Sequence, residues 1–156
     1  MTDTPDDHPG VLIFPPLLFA ICVAGGLVAH FTCPYRLALS PWIDRSFGVL
    51  ALGSLALAIW GQRTMKAAGT NVHPGKPALA VVANGPFAFT RNPFYLSLIG
   101  LFTAIGVMLA SPAFLAFAVP LFLVLHFGVV RREERYLDAK FDDAYRRYKA
   151  RVRRWI

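Results

Sequence analysis

Four apolar runs, each about as long as a bilayer is thick, constrain this chain more than any other feature. They cover residues 11–31, 47–65, 94–111 and 112–130 and hold roughly 18–21 residues each. A helix rising about 1.5 Å per residue needs about 20 residues to cross roughly 30 Å of hydrocarbon. The first run carries no charge, and the second is charged only at its end. Runs three and four meet at Ser111 and Pro112, which leaves room only for a tight antiparallel hairpin. Apolar residues make up 56% of the chain and charged ones 16%, more apolar surface than a soluble core of 156 residues hides. The pattern predicts a single all-α integral membrane domain with about four transmembrane helices.

Charge sets the expected orientation. Of the 16 Lys and Arg residues, ten lie between Arg131 and Arg154, and Arg63, Lys66, Lys76 and Arg91 lie between the second and third runs. Four crossings put all of these on one side and leave only Arg36 and Arg45 on the other. Both termini are then expected on the cytoplasmic side of a bacterial inner membrane. The same asymmetry accounts for the net charge of +7 without a nucleic-acid partner. Cys22 and Cys33 form no Cys-x-x-Cys pair and His is scattered, so neither a disulfide nor a metal site is expected. The acidic start, without a positive n-region, argues that the first run is retained.

The expected organisation is a disordered tail at 1–10, two spans over 11–65, a loop at 66–93, the hairpin at 94–130 and an amphipathic helix at 131–156. In that last segment Leu137, Phe141, Tyr145, Tyr148, Val152 and Trp155 fall at spacings of 4, 4, 3, 4 and 3, one helical face against the cytoplasmic side of the bilayer or loop. Asp142 with Arg146 and Asp143 with Arg147 stand as i,i+4 pairs. The loop is long for a compact protein, and its Leu79–Val82 stretch reads as extended backbone able to line a pocket.

Three constellations carry chemistry. Pro93 suits the first helical position and Asn92 the cap, which places Arg91 beside free helix N–H groups, an anion site for a carboxylate or phosphate. A membrane anchor snorkelling to headgroups is the plainer reading. Glu133 and Glu134 follow the fourth run directly, and either can point inward to an ammonium or ribose hydroxyls, or join a ring of salt bridges with Arg131, Arg132 and Arg135. His126 lies within the fourth run, seven residues before Glu133 and so on the same face of a regular helix, beside a kink expected at Pro120. It is a candidate base or a packing residue.

The stretch GPFAFTRNPFY at 85–95, followed after one hairpin by EERYL and the tyrosine-rich tail ending VRRWI, resembles the isoprenylcysteine carboxyl methyltransferase-like membrane enzymes. Short bacterial members are the nearest in pattern, with phospholipid methyltransferases as relatives. The likeness runs over about residues 69–156 and includes AGTNV at 68–72. It implies S-adenosylmethionine-dependent methyl transfer to a lipophilic or amphiphilic acceptor, a carboxylate, thiol or amine, entering from the bilayer. Carried over by position, Leu79, Val81, Val82, Phe87, Arg91, Asn92, Pro93, Tyr95, Glu133 and Glu134 would border the cofactor, with Asn92 in place of a histidine. Arg91, Glu133 and His126 are the residues expected to serve catalysis, His126 where the acceptor is an amine or alcohol. Val129 stands where prenylcysteine-methylating members carry an arginine, which leaves the acceptor open. Two other readings compete: a membrane reductase using a nicotinamide cofactor, and a non-enzymatic membrane scaffold.

Overall fold

Two adjacent prolines decide where the first helix begins. A proline inside a helix lacks the N–H of that turn, and its ring collides with the carbonyl four residues back. Pro15 and Pro16 therefore open helix α1, Pro15–Thr32, and exclude residues 11–14 from it. The computed structural model describes residues 9–73 and 76–156, apart from the Asp44 side chain. The disordered tail expected at 1–10 thus lies mostly outside the described residues. Residues 9–14 form a strap: Leu12 donates its N–H to the Gly128 carbonyl at 3.1 Å, and Phe14 stacks on His73 with ring centres 5.0 Å apart.

Helix α2, Pro41–Ala67, starts before the second apolar run, with Ser40 accepting from the Trp42 N–H. A loop with one 3₁₀ turn at Gly85–Ala88 leads to α3, Pro93–Met108. The third run loses its last residues because Ala110 turns to a positive φ of 48° and Ser111 caps the next helix, its Oγ accepting from Phe114 at 3.2 Å. Then follow α4, Pro112–Leu115, α5, Ala118–Leu123, a π-helical turn at Val124–Val130, and α6, Arg131–Arg151. The interruption at Ala116 and Phe117 sits where the Pro120 ring opposes a regular helix. The Val119 N–H turns to the Ala116 carbonyl, three residues back, and the regular four-residue pattern resumes with Leu121 to Phe117.

The described residues are all-helical without strands. Among the described residues three helical stretches are long and apolar enough to cross a membrane, Pro15–Thr32, Pro41–Ala67 and the interrupted Pro112–Arg151, whose apolar part ends at Val130. At 16 residues, α3 is a shorter apolar helix. Lipid tails are as apolar as leucine, so shape holds such helices together more than hydrophobicity does. Phe102 and Phe114, both wholly buried, stack at 4.6 Å between centroids in a core shared with Leu18, Leu121, Leu125 and Val129. Small residues bring α2 onto α3: a methyl group on Gly100 would stand 2.5 Å from Ser54 Oγ.

The tail departs from the regular helix expected over 131–156. Asp142 has φ 39° and ψ −112°, a break that re-aims the second half of α6. Asp142 still pairs with Arg146, but Asp143 also meets Arg146, at 3.6 Å, in place of the expected Arg147. The helix ends at Arg151, and Val152 is extended. Tyr145, Tyr148 and Val152 close with Phe87 into a second core, flanked by Leu137 and Phe141. Trp155 leaves that face and packs instead against Phe122 and His126.

Candidate active site

A cavity of about 850 Å³, its mouth included, opens between the 66–93 loop, the first turn of α3 and α6. Met65, Val81, Val82, Phe87, Pro93, Phe94 and Leu137 supply apolar walls, and Arg91, Asn92, Tyr95, Glu133, Tyr136, Tyr145 and Tyr148 the polar ones. The loop is shaped by its own side chains. Thr70 Oγ1 accepts from the Leu79 N–H at 3.0 Å, Asn71 donates to the Pro77 carbonyl at 2.8 Å, and the Ala78 N–H reaches the Tyr136 hydroxyl at 3.1 Å. Tyr148 donates to the Phe87 carbonyl at 2.8 Å and so ties the 3₁₀ turn to α6.

The charged groups divide the work. Tyr95 donates its hydroxyl to Glu133 Oε1 at 2.6 Å. Burial raises the Glu133 carboxyl to about 7, the Tyr95 bond pulling it down and the neighbouring Glu134 charge pushing it up. Glu134 faces the other way. Arg154 grips it with two bonds, Nε to Oε1 at 2.9 Å and Nη2 to Oε2 at 2.7 Å, the fork geometry that suits guanidinium to carboxylate. Arg91 Nη1 lies 3.0 Å from the same Oε1, close enough to pair in charge. Its N–H is not aimed at that oxygen, however: Nε and Nη1 of Arg91 are buried with no aligned hydrogen-bond acceptor among the described residues. Burial also raises the Tyr145 hydroxyl, to which Arg91 is bonded.

A guanidinium whose buried Nε lacks an aligned acceptor among the described residues and a separate carboxylate thus share one cavity at the open end of an apolar hairpin. The sequence matches the phospholipid methyltransferase family over residues 44–144. The chain belongs to that family. Its members are membrane methyltransferases, isoprenylcysteine carboxyl methyltransferase-like enzymes among them. An uncharacterized protein of Haemophilus influenzae is 40% identical over 62 residues, which is 40% of this chain and 98% of that relative. In this phospholipid methyltransferase family member the matched stretch takes in the loop, Arg91, the hairpin and both glutamates, and ends just before Tyr145.

Of the residues expected to border a cofactor, Val81, Val82, Phe87, Arg91, Asn92, Pro93, Tyr95 and Glu133 line the cavity. Leu79 and Glu134 do not: Leu79 is exposed, and Glu134 is buried behind Arg91. Asn92 stands at the cap position, but its side chain makes no cap bond and donates to the Arg154 carbonyl at 2.8 Å. His126 also lies off the cavity, stacked with Trp155, whose Nε1 is 3.4 Å from His126 Nδ1. The wider π turn at 124–130 changes the phase between His126 and Glu133, so their shared face in a regular helix is lost. Sequence reasoning missed Tyr136, Tyr145 and Tyr148 as cavity residues. For Tyr145 and Tyr148 the signal was the apolar face of the tail, which reads equally as packing, and Tyr136 lies off that face.

Proposed function

We propose that this chain is an S-adenosylmethionine-dependent methyltransferase of the membrane, acting on a lipophilic or amphiphilic acceptor that presents a carboxylate, thiol or amine. The observation that carries the reading is the buried Arg91 guanidinium, whose Nε has no aligned acceptor among the described residues, in a cavity also lined by Glu133. Leaving buried donors without acceptors costs about 1–3 kcal/mol each, more for a charged group, so such a site favours an anion. The amino-acid end of the cofactor offers a carboxylate for Arg91 and an ammonium for Glu133, and the Val81, Val82, Phe87 and Leu137 walls suit an adenine.

When bound, the cofactor supplies a methyl group on a positively charged sulfur. The chain's own residues bind and align it. Arg91 and Glu133 orient the amino-acid end, Tyr95 holds Glu133 in place, and the tyrosines of α6 with Phe87 keep water from the apolar side. The positive-inside pattern supports placing the cavity at the cytoplasmic face, where a polar donor arrives from water and the acceptor from the bilayer.

Protein in lipid nanodiscs, incubated with methyl-labelled S-adenosylmethionine and a bacterial lipid extract, tests the reading. Label should pass into the organic phase with the wild type and not with Arg91→Ala. Label that stays with the donor, or transfers equally well with Arg91→Ala, refutes it.

A further inference from the structure

The C-terminal segment returns to the helix it has no sequence proximity to. After Val152 the chain runs back along the start of α3. The Arg153 carbonyl accepts the Arg91 N–H at 3.0 Å, and the Arg154 carbonyl accepts from Asn92 Nδ2 at 2.8 Å and Thr90 Oγ1 at 3.3 Å. The backbone that carries Arg91 is therefore fixed by the last residues of the chain. The Arg154 side chain adds a second restraint, because it holds both oxygens of Glu134, and Glu134 is the carboxylate closest to Arg91. Arg154 itself does not line the cavity.

We propose that Arg154 is a positioning residue for donor binding, occupying the fork of Glu134 so that this carboxylate makes only one off-axis contact to Arg91 and the guanidinium keeps a donor for the carboxylate of the bound cofactor. The inference rests on the donor reading above. A carboxylate has about four acceptor positions and prefers a guanidinium in the two-bond fork. With Arg154 in that fork, Arg91 receives only the off-axis contact from Nη1 to Oε1 and keeps its buried Nε without an aligned acceptor among the described residues. The three side chains then sum to one positive charge, one carboxylate between two guanidiniums. Without Arg154 the Glu134 carboxylate is free to rotate into the fork of Arg91. That closed pair is neutral and has fewer donors left for an incoming anion.

The test separates this role from plain structural support by using two ligands, S-adenosylmethionine and its decarboxylated form, which lacks the group Arg91 is argued to hold. Binding is measured by calorimetry on the full chain in nanodiscs. Arg154→Ala should weaken S-adenosylmethionine by about tenfold, the scale of loss when a residue orienting a ligand-binding group is removed, and leave the decarboxylated form within about twofold of wild type. Arg154→Lys, which keeps one bond to Glu134, should lose less. Arg151→Ala removes an exposed charge of the same sign and should lose neither ligand. Unchanged affinity for S-adenosylmethionine in Arg154→Ala overturns the proposal, and so does an equal loss for both ligands. If Arg154→Ala does not fold, Arg154→Lys decides: a loss confined to the carboxylate-bearing ligand supports the role, and wild-type affinity for both overturns it. A wild type that binds neither ligand overturns the donor reading, and this inference with it.

Discussion

The Tyr95 hydroxyl is a single-atom handle on the charge state of Glu133. It donates to Oε1 at 2.6 Å, and the carboxyl beneath it sits at about 7, raised by burial. A hydrogen bond to a charged group contributes roughly 1.5–3 kcal/mol, and each pH unit corresponds to about 1.36 kcal/mol. Tyr95→Phe keeps the buried ring and removes only the donor that favours the ionised form, so the carboxyl should rise by roughly one to two units, to about 8–9. At pH 7.5 the ionised fraction then drops from about three quarters to between roughly a quarter and 3%, and an ammonium-bearing ligand should bind roughly 3- to 25-fold more weakly. Calorimetry with S-adenosylhomocysteine at several pH values, in buffers of different ionisation enthalpy, reads both affinity and proton uptake. Wild-type affinity should rise with pH through about 7 and release a proton on binding below that point, a range in which the ligand's own amine keeps its charge. Coincident pH profiles for wild type and Tyr95→Phe would refute the assignment of Glu133 as the carboxylate that meets the ammonium.

Three further outcomes follow from the same contacts. Because the Glu133 carboxyl is raised above its ordinary value of 4.5 to about 7, folding binds a proton between those limits and loses stability as pH climbs through them. Glu133→Gln should therefore melt higher than wild type at about pH 8, with the gap closing toward about pH 5. Tyr148→Phe strands the Phe87 carbonyl, buried with the hydroxyl that now satisfies it, and should cost about 1–3 kcal/mol in a denaturant or thermal melt. Gly106→Ala places a methyl 2.5 Å from Leu115 Cδ2 and 2.9 Å from Phe114 Cδ1 in the tightest part of the hairpin, and should destabilise by about 1–3 kcal/mol.

Local physics made much of this architecture legible in advance. Apolar run lengths set the helices, and the Ser111–Pro112 junction set the hairpin. The prolines were readable too, although the helix start at Pro15 needed their ring clash to be weighed against the run of apolar residues before it. The meeting of Arg91 with the paired acids was legible from the helix-start pattern and the acids just past the fourth run. Which acid faces the cavity was not. That choice depends on the π turn at 124–130, one extra residue per turn with no periodic signature in a uniformly apolar stretch. The same turn removed His126 from the face of Glu133. The return of Arg153–Trp155 to α3 was also hidden, because helical periodicity continues unbroken through Trp155 while the backbone leaves the helix at Val152. Tertiary bonds from Thr90, Arg91 and Asn92 outcompete the helix there.

The central claim is that Arg91, besides its contacts to Glu134 and Tyr145, keeps a buried donor for the carboxylate of a zwitterionic donor molecule. Titration of S-adenosylmethionine into the wild type and Arg91→Ala in nanodiscs addresses it most directly. The account predicts saturable binding near one ligand per chain, weakened at least about thirtyfold by the substitution, the scale of losing a bond from a charged group, about 2 kcal/mol or more. No saturable binding, or equal affinity in the two proteins, contradicts it.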